Sequence, residues 1–297
     1  MSSGQHRPLH EQLRAVRLKP TTARLAAKKP QPVRGLVADA HDDVITDAAF
    51  SYDGTRLATG SADGYVNIFD LVDGRWIRSQ KRPELGSAVS KLAWAHPYYG
   101  QLIACAGYRG HLSIFAEEPG AELQQGQMTW AARMDFSDTH AITDLRFAPQ
   151  QLGLILVACY ADGFVRFLKA EAPFEPVEWR VVVSANLRGS GVPTVDWCER
   201  RTWDYVMALG AREGDHGVRL YHYDQESLEL DMAEKVQAEP ATSIAFAPAM
   251  GRSYLLLAVA MPDGVVRVHK IHKVRIKGAP PKYRPELIFD RHLHKGM

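Results

Sequence analysis

The sequence predicts an all-β protein, a β-propeller with five recognisable blades. Three observations predict it: one three-strand unit recurs five times, each copy alternates apolar and polar residues, and a glycine precedes the third strand of every copy. A length of 297 residues allows one large domain or two average ones, and the repeat decides for one. With 46% hydrophobic and 24% charged residues the chain has ample material for a core. No window after residue 35 sustains the three-to-four spacing of an amphipathic helix.

Each unit opens on a short alternating segment closed by an aromatic: Ile45 to Phe50, Val89 to Trp94, Ile142 to Phe147, Val192 to Trp197 and Ser243 to Phe246. Such alternation marks a strand with one buried face. A second strand of small and aliphatic residues follows, at Leu57 to Ser61, Leu102 to Ala106, Leu156 to Cys159, Val206 to Gly210 and Leu256 to Ala260. Small residues suit places where neighbouring sheets converge on a narrow axis. The third strand follows Gly64, Gly110, Gly163, Gly217 or Gly264 and reads aliphatic-x-apolar, as in Val66-Asn67-Ile68. Asp63-Gly64, Asp162-Gly163 and Asp263-Gly264 are expected to form two-residue hairpins, which need positive φ. The closing aromatic and the third strand lie 16 to 21 positions apart in every copy, so the period is structural. One sheet cannot bury both faces alone; successive sheets packed around an axis can.

The spacing is that of a WD repeat, slightly stretched, with 46 and 53 residues between successive turns at Asp63, Arg109 and Asp162. A WD blade is often tied by a His, a Ser or Thr, an Asp and a Trp. In the first unit His41, Ser61 and Asp63 fill the polar positions as a structural blade network, while Phe69 replaces Trp. In the second unit Arg109 stands where Asp would be, and the fourth replaces the tight turn with Ala211 to His216. His41, Ser61 and Asp63 superficially resemble a hydrolytic triad, but their spacing follows the repeat and no oxyanion-hole glycine motif accompanies them. His269, His272, His292 and His294 lack paired Cys, Asp or Glu at metal-ligand spacing. With no phosphate-cradling glycine loop either, no enzyme, cofactor or metal is expected.

Residues 1–34 carry eight Lys or Arg against the single acid Glu11, so a basic tail precedes a mildly acidic body. With Pro8, Pro20, Pro30 and Pro32 and few aromatics, the tail is expected to be disordered; 35–290 are expected to form the propeller and 291–297 a C-terminal stub. The tail reads as a solvated extension, as a weak nucleic-acid or membrane-surface contact, or as a transit peptide, against which Glu11 and few Ser count. Cys105, Cys159 and Cys198 form no CxxC pair and are expected to be reduced residues in strands. Neither a secretory signal nor a membrane span is visible, which points to the cytosol or nucleus.

Several segments go beyond a generic propeller: Ala93-Trp94-Ala95-His96-Pro97 with Gly100, Phe147-Ala148-Pro149 with Gly153-Leu154, Tyr160-Ala161-Asp162-Gly163-Phe164-Val165-Arg166, and Ile244-Ala245-Phe246-Ala247-Pro248 followed by Gly251-Arg252-Ser253. Together they resemble the Seh-type nucleoporins of the nuclear pore Y-complex, sisters of the WD-repeat protein in the COPII outer coat, over about Val37 to Phe289. The resemblance implies an open six-bladed propeller whose gap is filled by a β-blade donated from a larger helical-solenoid nucleoporin. It implies a scaffold at the nuclear pore and nuclear envelope, supporting transport of protein and mRNA, and a second role in a nutrient-sensing complex at lysosomal or vacuolar membranes. Family members continue into a sixth blade where this chain ends at Met297, so either the sequence is truncated or a five-bladed form has a wider opening. A COPII-type coat subunit in ER-to-Golgi transport is the alternative within the interaction class; an RNA-binding propeller using the basic tail is the alternative outside it.

Overall fold

The computed structural model describes residues 41–79, 82–119, 128–187, 194–199, 203, 205–211, 217–248, 251–275 and 281–292. The basic tail, Val192 at the expected start of the fourth unit, most of the loop from Ala211 to His216, and the stub beyond His292 lie outside the described residues.

Alternation produces the expected strands, and a fourth strand, which the pattern does not locate, completes each four-stranded sheet. Blade 1 comprises β1 (Ile45–Phe50), β2 (Arg56–Ser61), β3 (Val66–Val72) and β4 (Arg75–Arg78). Blade 2 comprises β5 (Val89–Trp94), β6 (Leu102–Gly107), β7 (His111–Pro119) and β8 (Met128–Ser137). Blade 3 holds β9 (Ile142–Phe147), β10 (Ile155–Tyr160), β11 (Phe164–Ala170) and β12 (Trp179–Asn186). Blade 4 holds β13 (Thr194–Trp197), β14 (Val206–Gly210), β15 (Val218–Asp224) and β16 (Glu229–Gln237); blade 5 holds β17 (Ser243–Phe246), β18 (Tyr254–Ala260), β19 (Val265–Val274) and β20 (Lys282–His292). Every sheet is an antiparallel meander in chain order. The fourth strands evaded the pattern because they form the outer edge, where β8 and β20 are mostly exposed or half-buried and carry no apolar alternation.

The first strands line the axis and pack in succession, β1 on β5, β5 on β9, β9 on β13 and β13 on β17. No packing of comparable extent joins β17 to β1, so the propeller is open. Small residues on the second strands let the sheets close in. A Cβ on Gly60 would lie 2.4 Å from Val89 Cγ1, and one on Gly107 would lie 2.4 Å from Ser87 Oγ. Cys105 and Cys159 are buried in β6 and β10, where burial raises both thiols; Cys198 is buried one residue past the end of β13, not in a strand.

The turns between second and third strands differ from expectation. Gly64 N–H donates to Ser61 O and Ser61 N–H to Tyr65 O, which closes a three-residue loop, Ala62-Asp63-Gly64, in place of the expected two-residue hairpin. Only the glycine has positive φ, at 86°. This is a type I turn followed by a glycine bulge. Gly163 and Gly264 repeat it, with φ of 86° and 81° and N–H bonds to Tyr160 O and Met261 O. Asp is chosen for another reason: Asp63, Asp162 and Asp263 each accept the N–H two residues on, from Tyr65, Phe164 and Val265.

Candidate functional site

Two features could carry function, the axial cavity and the seam between blades 5 and 1. The cavity, about 470 Å³, is lined by first strands and the loops after them, with Asp47, Lys91, Arg146, Asp196 and Glu199 as its charged residues. These charges serve mainly as struts from blade to blade. Asp47 accepts Leu92 N–H at 2.8 Å, Asp144 accepts Val195 N–H at 3.0 Å and the Thr194 hydroxyl at 2.7 Å, and Asp196 accepts Phe246 N–H at 2.6 Å. Burial opposes the charge of Arg146, but Asp144, Asp196 and Asp47 outweigh it and hold the guanidinium more firmly protonated. Burial raises the Asp196 carboxyl above its ordinary range, against the Phe246 N–H and Arg146. Sequence reasoning missed these carboxylates, although a signal existed: Asp47 and Asp144 both stand three residues before a closing aromatic.

The expected blade network assembles around a different hydroxyl. His41 lies 2.9 Å from Asp63 Oδ2 through Nδ1 and 2.9 Å from Thr59 Oγ1 through Nε2. A carboxylate can only accept, so Nδ1 donates to Asp63, while Nε2 faces both the Thr59 hydroxyl and, at 3.2 Å, the Thr59 carbonyl. Ser61, one strand alternation closer to the turn, instead donates to Asp43 O and accepts Asp63 N–H. Burial would raise the Asp63 carboxyl, but N–H donors from Tyr65 and Asp42, together with His41, outweigh it and hold the carboxyl low. Phe69 is fully buried on β3 and has no donor to offer. His269 is buried with Nε2 on Gln237 Oε1 at 2.8 Å, and His272 lies 3.6 Å from Glu286. Among the described residues no group of His, Cys, Asp or Glu is arranged to hold a metal ion.

At the seam the burial pattern changes. In the interior of the fold, β6 and β10 are buried at every position, because blades flank both faces. On β18 only Leu255, Leu257 and Val259 are buried, facing blade 4; Tyr254, Leu256, Ala258 and Ala260 on the other face are half-buried. The register extends that face across Ala245 on β17, Val266 and Val268 on β19, and Phe289 and Arg291 on β20, none of them buried. Across the gap β1 is exposed in a corresponding way. Trp94 reaches back onto blade 1, its indole N–H donating to Ala49 O at 2.9 Å. Phe50, its counterpart in blade 1, has no preceding blade among the described residues and is 61% exposed, and Val44 and Ile45 at the other end of β1 are exposed as well. The candidate site is therefore an apolar sheet face opposite an apolar first strand.

Comparison with known proteins agrees with this architecture. Residues 31–70 match the family model described as WD domain, G-beta repeat. The chain is 30% identical over 279 residues to Nucleoporin SEH1 of Homo sapiens, an alignment covering 87% of this chain and 76% of the relative, and to Nucleoporin SEH1 of Danio rerio, with 87% and 75% coverage. It is 30% identical over 256 residues to Nucleoporin SEH1-A of Xenopus laevis, covering 82% of this chain and 69% of that one. A chain in the solved structure "Crystal Structure of Mitotic Checkpoint Complex" shares the fold, with a TM-score of 0.57 at 14% identity, over 84% of this chain; the match spans 65% of that chain, slightly under two thirds. The repeats, the open ring and relatives matched over most of both lengths lead to one conclusion: the chain belongs to the SEH1 nucleoporin family of WD-repeat β-propellers.

Proposed function

We propose that this protein is a non-catalytic scaffold subunit of the nuclear pore Y-complex, and that it binds a helical-solenoid nucleoporin by seating a β-blade donated by that partner in its seam. Through that assembly it supports nucleocytoplasmic transport at the nuclear envelope, and it serves in a second, nutrient-sensing assembly at the lysosomal or vacuolar membrane. The observation that carries the reading is the face of blade 5 that no neighbouring blade covers among the described residues. Leu256, Ala258, Val266 and Val268 form an apolar surface of the kind that every interior blade covers with its neighbour. What the seam offers is a face more than an edge, so the partner element packs on it as one blade packs on the next.

The test is co-expression with the solenoid nucleoporin of the same organism. Co-purification at equal stoichiometry and a higher thermal midpoint in the complex are expected, because the partner binds only the folded form. The double variant Leu256→Arg, Val268→Asp is expected to fold and to lose the partner. Co-purification unaffected by that variant would remove the seam from the assembly.

A further inference from the structure

We infer that the element seated against blade 5 is apolar toward the propeller axis and acidic toward the rim. The inference rests on the seam being the seat of a donated blade, and it specifies that blade's chemistry. Along the seam face the inner strands contribute neutral residues: Ser243 and Ala245 from β17, and Tyr254, Leu256, Ala258 and Ala260 from β18. Charge appears only further out. Lys270 lies on β19, and Lys282, Arg284 and Arg291 on β20, with Glu286 the one carboxylate among them on this face. Glu286 is the cross-strand neighbour of Lys270 and lies 3.6 Å from His272. Lys270 rests over the Tyr254 ring at 4.6 Å and Arg291 over Phe289 at 5.8 Å, and neither forms an ion pair among the described residues.

The filled seams of the same molecule show what such cations meet when a neighbouring element is present. At the seam between blades 1 and 2, Arg56 on β2 forms a two-pronged pair with Glu117 on β7, at 2.6 and 3.1 Å. On the opposite face of blade 5, Arg267 pairs with Glu239, from the link between blades 4 and 5, at 2.9 Å, and with Asp290 at 3.0 Å. In both cases an arginine facing a filled seam is met by a carboxylate from the adjacent element and by one of its own sheet, Asp70 for Arg56 and Asp290 for Arg267. Four cations against one carboxylate on the seam face therefore call for a partner surface bearing Asp or Glu at the rim. Such charges contribute mainly to encounter rate and register, while the apolar centre supplies the persistent contact.

The test compares two variants for binding to the full-length solenoid nucleoporin by calorimetry or surface capture. Charge reversal at the rim, Lys270→Glu with Arg284→Glu and Arg291→Glu, is expected to weaken binding about tenfold, and raising NaCl from about 50 to about 300 mM is expected to weaken the wild type but not this variant. Circular dichroism and an unchanged melting temperature of the free variant would show that it folds. Loss of binding in Val268→Asp together with unaltered, salt-insensitive binding in the rim variant would overturn the acidic rim while leaving the donated blade intact. A wild type that fails to bind would overturn both. Anionic vesicles and single-stranded RNA serve as competing probes: rim-dependent binding to either, with solenoid binding unchanged in the rim variant, would reassign the cations and overturn the inference.

Discussion

At the residue scale the informative groups are polar ones that close turns and bridge blades. Asp63 ties the first blade by accepting from His41, Asp42 and Tyr65 together. Its carboxyl is held below the ordinary range in the folded state, so its contribution is present above the unfolded pKa and is lost as pH falls through the lower folded value. Asp63→Asn is expected to cost about 1 to 2 kcal/mol at neutral pH, since an amide replaces a charged acceptor. Urea denaturation series should show the gap to the wild type narrowing below about pH 4. Asp144 is the more deeply buried strut and serves both Thr194 and Val195. Asp144→Ala leaves a buried N–H and a hydroxyl unpaired, with an expected loss of about 2 to 4 kcal/mol by the same measurement. The position of Asp63 was legible in the sequence because turn chemistry is local. The hydroxyl that meets His41 was not, because Thr59 and Ser61 differ by one strand alternation and only the three-dimensional path of residues 41–43 distinguishes them.

At the element scale the meander was legible wherever a strand is buried on at least one face. Expected and observed strands agree at Ile45–Phe50, Val89–Trp94 and Val206–Gly210. The outer strands were not legible, since a half-solvated edge selects no apolar period. Blades also differ in what fastens them to their neighbours. His269 on β19 reaches across to Gln237 at the end of β16, and so joins blade 5 to blade 4. Burial, reinforced by Arg267, lowers its pKa, so the folded state binds the proton less readily than the unfolded chain. The stability this contact contributes is therefore present above the unfolded value of about 6.5 and declines as pH falls below it. Thermal melts between about pH 7.5 and 5.5 should show the midpoint dropping in the wild type, with a shallower drop in His269→Gln.

For the whole molecule, an open ring leaves the two terminal blades with unlike faces, and substitutions of the same chemistry should separate them. Val157 on β10 is fully buried between blades, whereas Val268 on β19 is half-buried at the seam. Val157→Asp is expected to prevent folding, because a carboxylate would lie in a dry interface. Val268→Asp is expected to change the midpoint of the isolated protein by no more than about 1 kcal/mol equivalent, yet to abolish the partner-induced rise. Equal damage from both, read by calorimetric melting, would mean that the seam face is covered within the chain itself.

The fold class, the five repeats, most inner strands, the glycine turns and, through the segments around Trp94, Phe147 and Phe246, the family are all legible in the order of the residues. These are properties of local periodicity and steric demand, which a chain carries wherever it goes. Which faces are left uncovered, which carboxylates bridge neighbouring blades, and that the cations of β20 lie at the rim without ion pairs among the described residues become visible once the sheets are assembled. Those depend on how sheets distant in sequence are set around one axis, and an exposed valine and a buried one occupy the same place in a two-residue period.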